Sequence, residues 1–214
     1  GQVKGGLPTG VHKTDEENLQ NVPKFLERHA GKLVYISRKC DGTSATYHYI
    51  NEEFGCSGRN WEYAESESNA YWRVARALDL PTKLIELGKN IILQGEMIGP
   101  GIQGNKYNLK ELEFRLFNVC DPDTDTNYGY YDMINLAAHL GVRTVPLHDP
   151  IVLNHTLAEL EALSICKSAL NPDIWEEGIV VRTVNDERDP ETGKASVKIV
   201  NTKFSLAEKK AEDK

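Results

Sequence analysis

A lysine at a predicted break in a strand is the first residue whose surroundings suit covalent chemistry. Residues 35–44 read YISRKCDGTS, so an apolar segment leads into the turn Lys39-Cys40-Asp41-Gly42. A lysine held there, with a carboxylate two residues on, could serve as a nucleophilic amine. The pattern Lys-x-Asp-Gly is expected by chance about 0.05 times in a chain of this length. Taken alone, however, the segment favours a plainer interpretation, a hairpin with Asp-Gly at its tip.

Two carboxylates and a second lysine stand beside other predicted strands. Glu96 follows a buried strand and precedes a glycine-rich loop at 99–105, and Glu177 comes directly before a strand. Lys198 lies between two apolar residues, and because side chains alternate along a strand it points away from both of them. Each of the three, considered singly, is compatible with a solvated strand end or an exposed sheet face.

The combination of these residues supplies what nucleotidyl transfer needs. The Lys39 amine would attack an α-phosphate, the carboxylates would hold a divalent metal that offsets the developing charge, and cationic side chains would neutralise the phosphates. The combination reverses the preference for a hairpin tip. We therefore predict that Lys39 is a nucleophile.

Composition limits the class of protein. The chain has 214 residues and a net charge of -7, which argues against binding nucleic acid over its whole surface but leaves room for a local basic groove. No segment approaches the ~18 apolar residues of a membrane span, so no membrane partner is expected. The four cysteines are widely spaced and favour free thiols in a reducing interior, which predicts an intracellular (cytoplasmic) protein.

Helices and strands are predicted in irregular order, which indicates an α+β fold with mostly antiparallel sheets flanked by helices. A capping-box pattern, Thr14 with Glu17, predicts a helix over 14–19. The other predicted helices are 23–31, 69–80, 83–88, 131–140 and 156–169. The predicted strands or extended segments are 32–36, 43–50, 90–98, 113–119, 144–152, 178–184 and 196–201. Residues 205–214 are predicted to be a short charged helix or a frayed tail.

In chain order, six segments resemble the motif series of covalent nucleotidyltransferases, which comprise ATP-dependent RNA and DNA ligases and mRNA-capping enzymes. The segments, within residues 14–204, are Lys39-Cys40-Asp41-Gly42, Ser57-Gly58-Arg59-Asn60, Glu96, Phe114-Arg115-Leu116-Phe117, Glu177-Gly178 and Lys198. Residues 14–21, 69–76 and 95–105 most resemble one branch of ATP-dependent RNA ligases. Members of that branch carry an N-terminal OB module before the catalytic domain, and the resemblance leads us to expect that such a module is missing from this chain.

The resemblance implies an adenylyltransferase (nucleotidyltransferase) fold, ATP-grasp-like, as a catalytic domain over 1–204 followed by the charged tail. It also implies that Lys39 forms a lysyl–AMP bond and that Lys198 contacts the α-phosphate and stabilises the transition state. Asp41, Glu96 and Glu177 would hold Mg²⁺ (or Mn²⁺) or its waters, with the ribose as an alternative partner for Glu96.

Further ATP contacts follow from the same resemblance. Arg38 and Cys40 would offer backbone groups to the adenine edge, and Phe117 would stack on adenine. Arg59 would contact the ribose or a phosphate. Gly42 of the turn and the additional cation Lys203 complete the implied set.

The resemblance predicts an ATP-dependent RNA ligase that transfers AMP from Lys39 to an RNA 5′-phosphate and then joins that end to a 3′-OH. Its partners would be ATP and RNA ends, as in RNA repair, and we expect a monomer. A capping guanylyltransferase, which would prefer GTP, and a DNA ligase adenylylation domain are alternatives. A third is an inactive nucleotide-binding module, favoured by two departures from the branch, Asn18 in place of an arginine and Val200 in place of a second lysine.

Overall fold

A computed structural model describes residues 2–214, which form fifteen β-strands, six α-helices and short 3-10 helices at Leu19–Asn21 and Gln103–Asn105. The strands are β1 (Val3–Gly6), β2 (Glu17–Asn18), β3 (Leu33–Arg38), β4 (Thr43–Ile50), β5 (Glu53–Ser57), β6 (Trp61–Tyr63), β7 (Ile91–Ile98), β8 (Glu113–Asp121), β9 (Thr126–Asn127), β10 (Arg143–Thr144), β11 (Ile151–Val152), β12 (Gly178–Thr183), β13 (Arg188–Asp189), β14 (Gly193–Lys194) and β15 (Ser196–Val200). The α-helices are α1 (Phe25–Arg28), α2 (Ala70–Ala77), α3 (Leu80–Leu87), α4 (Tyr130–Leu140), α5 (Leu157–Ser164) and α6 (Thr202–Glu212).

The predicted mixture of antiparallel sheets and helices is confirmed. Among the described strands, only the β8–β10 and β2–β15 pairs are parallel. The chain folds into two compact units, each built around its own sheet. No helix within residues 2–214 is both long and apolar enough to cross a membrane.

The first unit comprises the described part of residues 1–14 and Gly42–Thr144. Its eight-stranded sheet has the order β1-β6-β5-β4-β7-β8-β10, with β9 paired to β8. Helices α2, α3 and α4 contact β5, β4 and β8 respectively. The central strand β7 begins with a fully buried apolar run, Ile91 to Leu93, which explains its long ladders with β4 and β8.

The second unit comprises Asp15–Asp41 and Val145–Lys214. Its five-stranded sheet has the order β11-β3-β12-β15-β2. One face of the sheet is apolar and packs against side chains of α1 and α5 in a single core. The residues of that core on the three central strands are Val34, Ile36, Ile179, Val181, Val197 and Ile199.

The helix predicted over 14–19 was wrong. Residues 15 and 16 have no regular structure, Glu17–Asn18 form the edge strand β2, and a 3-10 turn follows. Glu16 pairs with Lys194 at 3.0 Å, and Leu19 is fully buried in the core. Tertiary pairing with β15 therefore overrides the local capping signal.

The helix predicted over 156–169 was too long, because α5 ends at Ser164. Its predicted start agrees with the structure, because Thr156 is the N-cap of α5 and forms a capping box with Glu159. Beyond the helix, Cys166 accepts a hydrogen bond from the Glu176 N–H, and Lys167 bridges to Trp175. The chain leaves the helix because a neighbouring segment supplies its backbone partners.

The hairpin alternative for residues 39–42 is excluded. Among the described strands, β3 pairs with β11 and β12, whereas β4 pairs with β5 and β7. The turn therefore connects two sheets, and the strand predicted to end at 36 continues to Arg38. Glu96 lies inside β7, as the strand predicted over 90–98 implies, and not after the buried strand segment.

Candidate functional site

Lys39 directly follows β3, and its backbone is held from two sides. Its N–H donates to the Gly178 carbonyl at 3.0 Å, and the Arg38 N–H donates to the Pro146 carbonyl at 2.9 Å. Arg38 lies opposite Ile179 in the β3–β12 ladder, so the next position places Lys39 opposite Gly178. The lysine is thus fixed at the carboxyl end of a paired strand.

The alternation of side chains places Lys39 and Lys198 on the same face of the five-stranded sheet. Lys198, Val180 and Ser37 form one cross-strand row, on the face opposite the apolar core. Lys39, two residues beyond Ser37, continues that face. With neighbouring strands ~4.8 Å apart and ~3.4 Å per residue, the two lysine Cα atoms are separated by about 12 Å. Two long side chains at that spacing can approach one phosphate group between them.

Close packing beside Lys39 requires a residue without a side chain at Gly178. A Cβ atom at this position would collide with the carbonyl oxygen of Ile199, which is backbone and cannot swing away. Glu177 precedes it and is half-buried, and its carbonyl accepts a hydrogen bond of 3.0 Å from the Asn201 N–H. The predicted Glu177-Gly178 motif therefore lies at the start of β12, next to Lys39.

A buried ion pair involves Arg38, the residue that precedes Lys39. Glu176 is 2% exposed and forms an ion pair with Arg38, in which Arg38 Nε lies 2.9 Å from Glu176 Oε2. Arg38 Nη2 also contacts Cys166 Sγ at 3.0 Å and donates to the Lys167 carbonyl. Burial raises the pKa of Glu176, and the Ala169 N–H and the Arg38 charge partly offset that effect. The sequence pattern did not single out Glu176 as a site residue.

In the first unit, Gly42 and Glu96 are in contact. The Gly42 N–H donates to Glu96 Oε1 at 3.2 Å, and Gln103 Nε2 donates to the Gly42 carbonyl at 3.3 Å. A Cβ atom at Gly42 would collide with the Met97 carbonyl oxygen. Glycine is required here because β7 approaches closely, and the glycine-rich loop of Gln103 ties down the same turn.

Phe117 lies at an irregularity of β8. Gly95 faces Leu116 and Gln94 faces Asn118, so Phe117 is the extra residue of a bulge. Leu116 and Asn118 are buried, whereas Phe117 is partly exposed. A bulge can redirect a side chain in this way, and the ring is consequently accessible for stacking.

The remaining predicted residues occupy varied positions. Cys40 is buried, Asp41 is half-buried, and Arg59 is exposed in the turn after β5. Lys203 is exposed in the first turn of α6, where its N–H donates to Asn201 Oδ1 at 2.9 Å. The structure thus groups Lys39, Glu177 and Lys198 on neighbouring strands of one unit, and Gly42 with Glu96 in the other.

The three predicted metal-binding carboxylates are divided between the units. Asp41 and Glu177 belong to the second, and Glu96 belongs to the first. Within residues 2–214, no group of three or more His, Cys, Asp or Glu side chains is arranged to hold a metal ion. A preformed all-protein cage is therefore not part of the described structure.

Asn201 is the other residue that the sequence did not identify as part of the site. It is fully buried, its Nδ2 donates to the Glu176 carbonyl at 2.8 Å, and its Oδ1 caps α6. An asparagine at the end of a predicted strand signals a cap in sequence, but its contact with residue 176 depends on a loop 25 positions away.

Comparison with known proteins gives a consistent result. A family model described as RNA ligase matches residues 32–200. A comparison with curated protein sequences gave no match.

Several solved structures are similar. A lysine-to-methionine mutant of the Naegleria gruberi RNA ligase with AMP and Mn has a TM-score of 0.88 and 33% identity, covering 98% of this chain and 61% of that chain. A lysine-to-alanine mutant with ATP and Mn has a TM-score of 0.90 at 33% identity, with coverage of 98% and 61%. The same ligase with PPi has a TM-score of 0.88 at 33% identity, with coverage of 100% and 62%. The chain therefore spans about three fifths of the length of these ligases.

Proposed function

Because the chain belongs to the RNA ligase family, we propose that it is the adenylyltransferase domain of an ATP-dependent RNA ligase, with Lys39 as the nucleophile. The observation that carries this proposal is the placement of Lys39 and Lys198 on one face of one sheet, beside Glu177. The domain would extend over 1–204. Its fold would be that of the nucleotidyltransferases, supported by similarity to the Naegleria gruberi ligase over nearly the whole chain.

The first reaction is transfer of AMP to the Lys39 amine. The neutral amine nitrogen would attack the α-phosphorus of ATP and lose one proton to solvent as the P–N bond forms, and the bond to the β-phosphate oxygen would break to release pyrophosphate. Positioning and charge neutralisation supply most of the catalysis in such a transfer. Lys198, fixed on β15 with its amine on the same face, would neutralise charge on the α-phosphate.

The carboxylates of the chain would supply only some of the ligands of a divalent ion. Mg²⁺ is usually held by one or two carboxylates together with phosphate oxygens and waters, so Asp41 and Glu177 of the second unit, or Glu96 of the first, would supply enough protein ligands. Bound Mg²⁺ or Mn²⁺ would offset charge on the phosphates. A solved structure of the Naegleria gruberi ligase contains ATP and Mn.

The adenosine contacts are proposed on local grounds. The Arg38 N–H is already bonded to Pro146, so a contact from Arg38 to the adenine edge would use its carbonyl oxygen. The partly exposed ring of Phe117 is suited to stacking. Cys40, Gly42, Arg59 and Lys203 stay in the proposed ATP set as predictions from the motif resemblance.

The second substrate would be RNA with 5′-phosphate and 3′-OH ends. Transfer of AMP to the 5′-phosphate and attack by the 3′-OH would complete sealing, and we propose an intracellular monomer. The net charge of -7 implies that any RNA contact is local and decreases with added salt.

Intact-protein mass spectrometry tests the first reaction. Wild-type protein incubated with ATP and Mg²⁺ should gain the mass of one adenylate, and GTP should not replace ATP. Lys39→Ala should abolish the gain while thermal unfolding stays cooperative, because the nucleophile is removed from a half-buried strand end. Lys210→Ala, on the exposed side of α6, is the matched control. A guanylate gain would favour a capping enzyme, and labelling of Lys39→Ala would exclude the nucleophile assignment.

A further inference from the structure

The Arg38–Glu176 ion pair joins the two strand ends that carry the proposed chemistry. Arg38 is the last residue of β3 and immediately precedes Lys39, and Glu176 immediately precedes Glu177 and β12. The pair is formed at 2.9 Å with the Glu176 side chain 3% exposed. The pair therefore joins the residue before Lys39 to the residue before Glu177.

Glu176 is itself fixed by further hydrogen bonds. Its Oε2 accepts from the Ala169 N–H at 3.2 Å, and its N–H donates to the Cys166 carbonyl at 2.9 Å. Asn201 Nδ2 donates to its carbonyl at 2.8 Å, and Asn201 follows β15, the strand of Lys198. The pair is thus connected to the ends of all three strands on which Lys39, Glu177 and Lys198 depend.

A gain in folding free energy does not explain why a buried ion pair is present at this position. Desolvation of two charges offsets most of their attraction, so a buried ion pair often contributes no more stability than apolar residues of the same volume. Its distinctive effect is geometric, because a planar guanidinium with several partners has a defined orientation. Here the Arg38 guanidinium meets the Glu176 carboxylate, the Cys166 sulfur and the Lys167 carbonyl.

We propose that Glu176 is a positioning residue: through its ion pair with Arg38 it fixes the direction in which Lys39 leaves β3 and the register of Glu177 beside it. The inference rests on the proposed ligase function and deepens it. Glu176 contacts neither ATP nor metal in this proposal and acts through Arg38. A displacement of about 1 Å at a reacting group can cost about 100-fold in rate, so a loosened pair should be visible in kinetics.

The test compares Glu176→Gln, Arg38→Gln and the double variant. Each single change should lower the maximal rate of lysyl–AMP formation by about 10- to 100-fold and change the KM for ATP by less than about threefold, because positioning rather than binding is lost. The double variant should lose about as much as one single variant, not the product of both, because the two residues act as one unit. Arg38→Lys, which keeps the charge, should lose less than Arg38→Gln.

Glu187→Gln is the matched control. Glu187 forms a partly exposed ion pair of 3.0 Å with Lys32 in the same unit, and its removal should leave the rate unchanged. Rates are compared below the melting temperature of every variant, so that a loss of folded protein is measured separately.

A readout without ATP separates this proposal from the ligase function. Labelling of amines followed by peptide mass spectrometry gives the reactivity of Lys39 relative to exposed Lys210, and Glu176→Gln should raise that ratio at least about threefold as the strand end loosens. If wild type forms no adenylate but the ratio rises, the ligase function fails and positioning stands. Wild-type rates and an unchanged ratio in Glu176→Gln would overturn positioning, as would losses that multiply in the double variant.

Discussion

At the scale of single residues, a glycine is needed at the site because it has no Cβ atom. Gly42 follows Asp41, and this pair is a turn signal in sequence, but the turn that it forms is not a hairpin. A Cβ atom there would collide with the Met97 carbonyl oxygen, and its N–H holds Glu96. Sequence could identify the position, because glycine after aspartate is a strong turn signal, but not the close approach, which depends on a strand more than 50 residues away.

Gly42→Ala tests this requirement. The added methyl group should push the turn away from β7, lowering the free energy of unfolding by about 1–3 kcal/mol and reducing adenylylation. Gly6→Ala is the control, because a Cβ atom there meets no atom within 4 Å and the change should stay within about 0.5 kcal/mol. Urea unfolding and adenylate mass gain provide both measurements. Equal stability of the two variants would contradict the close-approach explanation.

His48 gives a residue-scale prediction about pH. Burial, with a smaller contribution from Lys4, lowers the pKa of His48 to about 4. Glu62 is 3.9 Å away, too far for a hydrogen bond, and within residues 2–214 His48 Nδ1 has no partner. Between the lowered pKa and the ordinary value near 6.5, the unfolded chain binds more protons than the folded one. Stability should therefore fall as the pH drops from about 6.5 to about 4.

Replacement of the titrating ring isolates this contribution. His48→Gln should lose less stability than wild type between pH 7 and pH 4.5, by about 1–2 kcal/mol after allowance for local relaxation. Urea unfolding at both pH values gives the difference directly, and carboxylates common to both proteins cancel. Parallel pH profiles for the two proteins would show that folding does not lower the pKa of His48.

At the scale of elements, the sequence was accurate where periodicity and caps agree with tertiary packing. The helix ending at Leu140 and the strand containing Lys198 lie close to their predicted bounds, and the helix capped by Gly88 ends as predicted but begins three residues earlier, at Leu80. The helix over 14–19 failed because Glu17–Asn18 pair with β15, a contact across about 180 residues. Local propensity contains no information about a partner so distant.

The hairpin of β13 and β14 is not among the elements predicted from sequence, because the residues that anchor it are distant along the chain. Asp189 is buried, receives both Arg28 Nε and Nη2, lies 2.7 Å from His29 Nε2, and accepts two backbone N–H groups at 191 and 192. These contacts lower the pKa of Asp189 well below its usual range, against the effect of burial. The hairpin also carries Lys194, which pairs with Glu16 next to β2.

Asp189→Asn should therefore destabilise the protein by about 2–3 kcal/mol, since charge-assisted hydrogen bonds to a buried carboxylate are lost. Asp173→Asn, at an exposed position of the same unit, should have little effect. The lowered pKa means that this stabilisation is present at neutral pH and decreases as the pH falls from the ordinary carboxylate pKa near 3.9 through the lower folded-state pKa. Thermal unfolding at pH 7 measures it, and equal melting temperatures for the two variants would show that the anchor is dispensable.

At the scale of the whole molecule, the predicted division at 204 can be tested by truncation. Helix α6 begins at Thr202 and none of its residues is buried, so the segment after Phe204 adds little apolar burial to either unit. A chain ending at 204 should keep its melting temperature within a few degrees and its rate of adenylylation within about twofold. A chain ending at 195 lacks β15, hence Lys198 and two residues of the core, and should not fold.

The two truncations distinguish a dispensable tail from a part of the catalytic domain. Asn201 is retained in the longer one, so its contact with Glu176 stays available even though the helix that it caps is removed. If the chain ending at 204 still unfolds cooperatively but forms lysyl–AMP more than tenfold more slowly, α6 contributes to ATP binding and the proposed domain must extend past 204. Lys203 is retained in that truncation, so Lys203→Ala in the full chain would then show whether the loss reflects misplacement of this cation or the absence of the residues after 204.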